Sequence, residues 1–335
     1  MTLTLTRRFG IAATTLVLGA GLTLTACSSD DDAETGSTTG ADATDSAAAG
    51  EASYPRTVTI DGEDVELTAK PENIAVLSSD LAALVLPLTG GDNVTLAPDM
   101  NATGDLAEEL DKVENSLPPS ASVDAEQVMA SDPDLVMITA RHDFEKNAAD
   151  QLRSFDIPVA VSSGNAGSGS EAIIDQIGVV ADLVGEQEKG AELAAELTEK
   201  RDENIAHADG QDAPSTLGIW AHANQQMIGS KTLMLTGLIR EAGGDAVIDN
   251  MGAESMVSAD PEVIVKEAPE VIIVQTSSES GEDAFAELID NPAMKDVPAI
   301  KNDRVYYIDS SITSSASGTA IIDGLDEVSQ ALFEE

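Results

Sequence analysis

Apolar and polar positions alternate along residues 57–67 about an Asp61-Gly62 centre, the pattern of a β-hairpin closed by a tight turn. Past Pro71, the apolar run at residues 74–77 predicts a short buried strand, and residues 80–88 predict a helix behind it. Strand and helix then keep alternating. Strands are predicted at residues 134–139 and 158–161, with helices near 124–130, 144–155 and 170–184. Such alternation is the signature of a parallel sheet covered on both faces, so the first half reads as an α/β lobe.

Residues 186–207 lose every strand signal and hold helical spacing, with Gly190 the only interior break. A helix of that span is about 33 Å long at ~1.5 Å per residue, close to the width of a small lobe. The stretch 209–214 is polar and carries Gly and Pro, which marks a boundary. A second α/β lobe follows, with strands at 216–220, 271–275 and 304–308 and helices near 232–242, 261–267, 282–289 and 318–333.

The two halves echo each other. Ser122, Glu126, Pro133, Asp134 and Leu135 recur at one fixed interval as Ser258, Glu262, Pro269, Glu270 and Val271. In each copy a short helix opened by an acid leads through a Pro into an apolar strand. The predicted architecture is therefore two similar lobes with central parallel sheets joined by one long helix, with a ligand cleft between them.

The N-terminus follows a different rule. Arg7 and Arg8 precede an apolar stretch at residues 11–24 that is too short and too weakly apolar to span a membrane, and it ends in Leu24-Thr25-Ala26-Cys27. That ending resembles a bacterial lipobox, whose cysteine sulfur takes a diacylglyceryl group. Cys27 is the only cysteine, which excludes an intrachain disulfide and any multi-thiolate metal site. Residues 28–54 are Ser, Asp, Thr, Gly and Ala with almost no large apolar side chain, and read as a flexible tether. The expected organisation is a signal segment at 1–26, a tether at 27–55, a first lobe at 56–185, a bridging helix at 186–209 and a second lobe at 210–335.

Net charge narrows the partners. A formal charge of -44 leaves nothing for the counterion release that drives nucleic-acid binding, and anionic headgroups are equally poor partners. The charge reads as a solvated surface. Enzyme signatures are missing too: Gly229-Ser230-Lys231-Thr232 lacks the first glycine of a phosphate loop, and no Gly-x-Ser-x-Gly elbow is present.

Taken in order, several stretches together resemble the solute-binding proteins of iron-siderophore, haem and cobalamin ABC importers. They are Thr57-Val58-Thr59-Ile60, Lys70 through Leu77, Glu126 with Asp132 through Val136, and Leu183 through Gly190. In the second half they are Gly229-Ser230, Ile239 through Gly244, Glu262 with Ala268 through Ile272, and Val297 through Tyr306. The resemblance covers nearly everything after Arg56. It implies a bilobed clamp with a rigid bridging helix, a cargo held between the lobes, and one exposed glutamate per lobe docking on an ABC permease, which an ATPase drives. By position those glutamates are Glu126 and Glu262. Both also occupy the second position of a helix, where the helix dipole alone favours a carboxylate by roughly 0.3–1 kcal/mol.

Ligand groups in such folds come from loops beyond the carboxyl ends of strands. Those loops are residues 78–81, 98–103, 140–144, 162–170, 221–230, 250–256, 276–281 and 309–317. Arg141 and His142 follow one strand, Trp220 and His222 end another, and Lys231 stands beyond it; these five are the candidate ligand-binding residues. His142 and His222 suit axial ligation if the cargo is haem. Arg141, His142 and Trp220 suit hydrogen bonding to a ferric siderophore. Each histidine is equally at home as a solvent-facing loop residue, and Tyr306, Tyr307, Met251 and Met256 read first as packing groups. Since Arg141 and Lys231 are the best-placed cations, a weakly charged hydroxamate chelate fits better than a trianionic catecholate. A cobalamin or transition-metal carrier is the further alternative. No resident cofactor is expected, the chain is expected to act as a monomer, and its place is the outer face of the cell membrane, held by lipid.

Overall fold

Strands β1 (Arg56–Ile60) and β2 (Glu63–Leu67) pair antiparallel. Asp61 and Gly62 turn the chain between them with φ of 49° and 85°. A two-residue hairpin turn of this hand needs positive φ at both positions, which explains why Asp-Gly stands there. The alternation does what it predicts, since Val58, Ile60, Val65 and Leu67 are buried while their neighbours face out. The computed structural model describes residues 53–118, 123–140, 143–164, 169–222, 225–253, 255–277 and 281–333, all within the compact unit Ala48–Glu335. Cys27, Arg141 and His142 lie outside the described residues, as does the side chain of His222.

In the first lobe the order is β3 (Ile74–Val76), α1 (Ser79–Thr89), β4 (Val94–Pro98), α2 (Gly104–Leu110), β5 (Asn115–Leu117) and α3 (Ala125–Ala130). Then follow β6 (Leu135–Thr139), α4 (Asp143–Arg153), β7 (Val159–Ser162) and α5 (Ser170–Val184). The sheet runs β5-β4-β3-β6-β7, all parallel. Every residue of β6 is buried, as a parallel strand covered on both faces requires. Strands β4 and β5 escaped the sequence pattern. One ends in Pro98, and the other is a three-residue edge strand with two exposed positions, so neither shows a long apolar run.

Helix α6 (Gln187–Ile205) has 19 residues and continues into a 3₁₀ turn at Ala206–Ala208. At ~1.5 Å per residue the α part is about 28 Å long, a little shorter than expected. Gly190 is not a break. A Cβ there would stand 2.3 Å from the Cβ of Ala181, so the glycine lets α6 cross α5 at close range.

The second lobe comprises β8 (Ser215–His222), β9 (Gln225–Ile228), α7 (Met234–Glu241), β10 (Asp245–Ala246), α8 (Val247–Asn250), β11 (Val257–Ser258) and α9 (Pro261–Glu267). It continues with β12 (Val271–Thr276), α10 (Ala286–Ile289), α11 (Pro298–Lys301), β13 (Val305–Asp309), α12 (Ser310–Thr313) and α13 (Ile321–Phe333). The sheet order is β11-β9-β8-β12-β13, with β10 also on β8. Here β8, β10, β12 and β13 are parallel, while β9 runs opposite to both of its neighbours, β8 and β11. Part of the expected loop at 221–230 is thus β9, whose polar Gln225 and Gln226 hid it from the pattern. Helix α13 begins at Ile321 rather than 318, because Gly318 takes φ 55° and ψ -130°, outside helical geometry.

Apart from Ser122, which lies outside the described residues, the sequence repeat is a structural repeat. Ile74 pairs with Leu135 as Thr216 pairs with Val271. Asp134 accepts from the N–H groups of Glu72 (2.9 Å) and Asn73 (3.0 Å), just before β3. Glu270 accepts from the N–H of Ser215 (2.9 Å) at the start of β8. Asp132 and Ala268 both turn with positive φ, 51° and 49°, before their prolines. The same acid-capped strand pair is therefore built twice, and it carries α3 and α9 to corresponding places on the two lobes.

Candidate functional site

Where the carboxyl ends of β3, β4 and β13 approach one another, the lobes leave a gap of about 440 Å³. The first lobe contributes Ser79, Asp99, Met100 and Asn101; the second contributes Ser310, Ser311, Ser314 and Ala316. Three of the loops expected to line a cleft meet here. Asn101, Ser311 and Ala316 also border a second space of about 660 Å³, which runs toward Leu193, Leu197 and Lys200 on α6. Lys200 is already engaged by Glu196 at 2.8 Å.

The second-lobe wall is held firmly. Asp309 caps α12 by accepting from the N–H of Ser311 (2.7 Å), and Ser317 Oγ accepts from the N–H of Ser314 (2.9 Å). Behind them Gln275, at the end of β12, donates its amide to both the carbonyl and the hydroxyl of Thr313, each at 2.9 Å. Thr313 is fully buried and Gln275 nearly so, hence this network is shielded from water and fixes the loop's shape. On the first-lobe side, Ser78 Oγ accepts from Thr139 N–H (2.6 Å), and Thr139 Oγ1 donates to the buried Asp80 carboxylate (3.0 Å). Ser79 is thereby seated between two anchored neighbours.

The residues singled out by sequence fall as follows. Trp220 is half-buried on β8, opposite Met227 of β9, and takes part in a hairpin that extends past it to His222, which pairs with Gln225. Gly218, two residues earlier on the same face, meets Leu235 and Ile239, so that face of β8 looks toward α7. Lys231 follows β9, half-buried, and its carbonyl accepts from Arg240 Nη1 (2.8 Å). Arg240 also pairs with Asp249, and that hydrogen bond, aided by the charges of Arg240 and Lys231, holds the Asp249 carboxyl below its usual range. Neither Trp220 nor Lys231 lines the gap between the sheets. Burial, with Glu282 and Asp290 nearby, pushes the Tyr307 phenol up, as expected of a packed tyrosine. A further histidine, His207 in the turn after α6, has its Nδ1 3.2 Å from Ser329 Oγ on α13.

Glu126 and Glu262 are both exposed, each the second residue of its helix. Asp124 caps α3 by accepting from Glu126 N–H (2.9 Å). The side chains that line the gap, Ser79, Asp99, Asn101, Ser310, Ser311 and Ser314, were not singled out by sequence. Their signal was the density of small polar residues just after β3, β4 and β13.

A Periplasmic binding protein family model matches residues 74–312, and the chain belongs to that family of solute-binding proteins. No curated protein is similar enough in sequence to match it. Solved structures share the fold. A periplasmic binding protein from Veillonella parvula aligns with TM-score 0.66 and 18% identity over 82% of this chain and 89% of its own. An ABC-type Fe3+-hydroxamate transport protein from Saccharomonospora viridis gives 0.65 and 19%, over 83% and 99%. The periplasmic haem-binding protein RhuT from Roseiflexus gives 0.64 and 19%, over 78% and 98%.

Proposed function

We propose that this chain captures a ferric siderophore, hydroxamate-like rather than catecholate, outside the cell membrane and delivers it to the permease of an ABC importer. The observation that carries the reading is the gap between the two sheets, walled by serine hydroxyls and an asparagine amide with Asp99 as the single carboxylate among its described lining. Hydroxyls both donate and accept without adding charge, which suits the oxygen-rich surface of a neutral chelate. The Saccharomonospora viridis relative is named for hydroxamate transport and the Roseiflexus relative for haem, so the cleft's own chemistry has to decide between them.

In this reading Arg141, His142, Trp220, His222 and Lys231 border the cargo as it enters, Glu126 and Glu262 dock on the permease, and Cys27 carries the lipid that keeps the monomer at the membrane. The duplicated acid-capped strand pair supports the docking role, because it presents two exposed glutamates in equivalent settings. The chain transports its iron chelate as cargo and performs no catalysis. Trp220 is the only tryptophan, so its fluorescence is the probe. Titration with a ferric trihydroxamate quenches it saturably. No quenching by any ferric chelate, with a sharp Soret band on adding haemin, reassigns the cargo to haem.

A further inference from the structure

Away from the cleft lining, the two lobes share a buried carboxylate. Glu241, the last residue of α7 in the second lobe, has a side chain only 9% exposed. It accepts from the backbone N–H and the hydroxyl of Ser170, each at 2.7 Å; Ser170 is the first residue of α5 in the first lobe. Its third donor is Nε of Arg201 on the bridging helix α6. Arg201 in turn reaches Glu171 at 3.7 Å. One carboxylate thus joins both lobes and the strut.

The contact is built for closeness. Gly169 donates its N–H to Met234 Sδ at 3.1 Å, and a Cβ on Gly169 would lie 2.9 Å from Glu241 Oε2 and 3.5 Å from the backbone of Gly237. With φ at +98°, Gly169 also takes a backbone conformation that other residues rarely adopt. The anion sits at the start of a 15-residue helix, where unpaired N–H groups and the helix dipole favour negative charge. A second close approach lies along the seam between the lobes, where a Cβ on Gly318 would come 2.5 Å from the carbonyl oxygen of Ala83 on α1.

We infer that Glu241 is a positioning residue that clamps the first lobe onto the second and sets the aperture between the carboxyl ends of the two sheets. With the strut and the Gly318–Ala83 contact, it makes three attachments, so the lobes cannot swing about α6 alone. The aperture is then a property of the cargo-free protein. Cargo enters a preset gap rather than closing an open one.

The test needs no cargo, so it stands apart from the identity of the ligand. Spin labels are placed at the exposed positions Gln151 and Glu287 (Gln151→Cys, Glu287→Cys) in the full chain carrying Cys27→Ser, and the distance between lobes is measured by electron-electron double resonance. The parent gives one narrow distance. Glu241→Ala adds a population displaced by roughly 2 Å or more, the scale of a genuine domain rearrangement. Glu241→Gln keeps an acceptor for Ser170 but loses the charge facing Arg201, and gives an intermediate width. Val128→Ala, which opens a cavity in the first lobe's own core, lowers thermal stability and leaves the distance alone. A folded Glu241→Ala protein with the parent's single peak overturns the inference. Should that variant fail to fold, a Glu241→Gln peak superimposable on the parent's does the same.

Discussion

Replacing Thr313 with Val keeps the side chain's volume and shape and removes one hydroxyl, which makes it a clean probe of the cleft wall. The hydroxyl accepts from Gln275 and donates to the carbonyl of Asp309, each at 2.9 Å. With valine there, the Thr313 carbonyl still takes one amide hydrogen of Gln275, while the second is stranded in a site where Gln275 is only 6% exposed. An unsatisfied buried donor costs about 1–3 kcal/mol, and the lost bond to the partly buried Asp309 carbonyl adds at most about 1 kcal/mol. The expected destabilisation is therefore about 2 kcal/mol, a sizeable share of a typical ~5–15 kcal/mol total. Urea unfolding followed by far-ultraviolet circular dichroism measures it. The same change loosens residues 309–317, so affinity for a ferric chelate falls even though the mutated atom does not face the gap. A shift in stability below about 0.5 kcal/mol, the usual range for inconsequential surface changes, would refute the claim that this buried network shapes the wall.

Other outcomes follow from the same structure. Gly190→Leu forces α6 away from Ala181 and lowers the thermal midpoint, because the Cβ alone already overlaps; an unchanged midpoint would mean that the crossing is looser than described. Charge reversal at both Glu126 and Glu262 abolishes uptake in cells and leaves cargo affinity intact; transport at the parental rate removes the docking assignment. The Asp249 carboxyl is held down in the folded state mainly by Arg240. Its folded value lies below the unfolded one, so the pair stabilises the fold above the ordinary carboxylate range near pH ~4 and is lost as pH falls through the folded value. Asp249→Asn should therefore be less stable than the parent at neutral pH and indistinguishable from it in strong acid, as measured by unfolding at a series of pH values.

The parts of the fold legible in the sequence are those where one physical rule dominates. Asp61-Gly62 can make only a few turns, the buried β6 and β12 have to be apolar up to the polar residues at their carboxyl ends, and the helix at 187–205 shows its period over several turns. Strands β5, β9, β10 and β11 were illegible because they are short, sit at or near sheet edges and carry polar residues, so partner strands rather than their own pattern define them. The site divides the same way. Topology placed the loops 78–81, 98–103 and 309–317 at the cleft, since strand ends must point there. Which side chains line it was hidden, because a serine such as Ser311 looks like any other loop serine until Asp309 is seen to hold its backbone N–H. Conspicuous residues such as Trp220 drew attention by their rarity, while quiet ones form the wall.

On the proposed function, a small guest sits between the carboxyl ends of the parallel strands of the two sheets. Calorimetric titration of a ferric trihydroxamate into the parent and into Ser311→Phe, whose ring fills the gap that Ser311 borders, addresses it directly. The expected result is saturable one-site binding by the parent and its loss in a variant that remains folded. Equal binding by both proteins would contradict it, because the guest would then be lodged somewhere else.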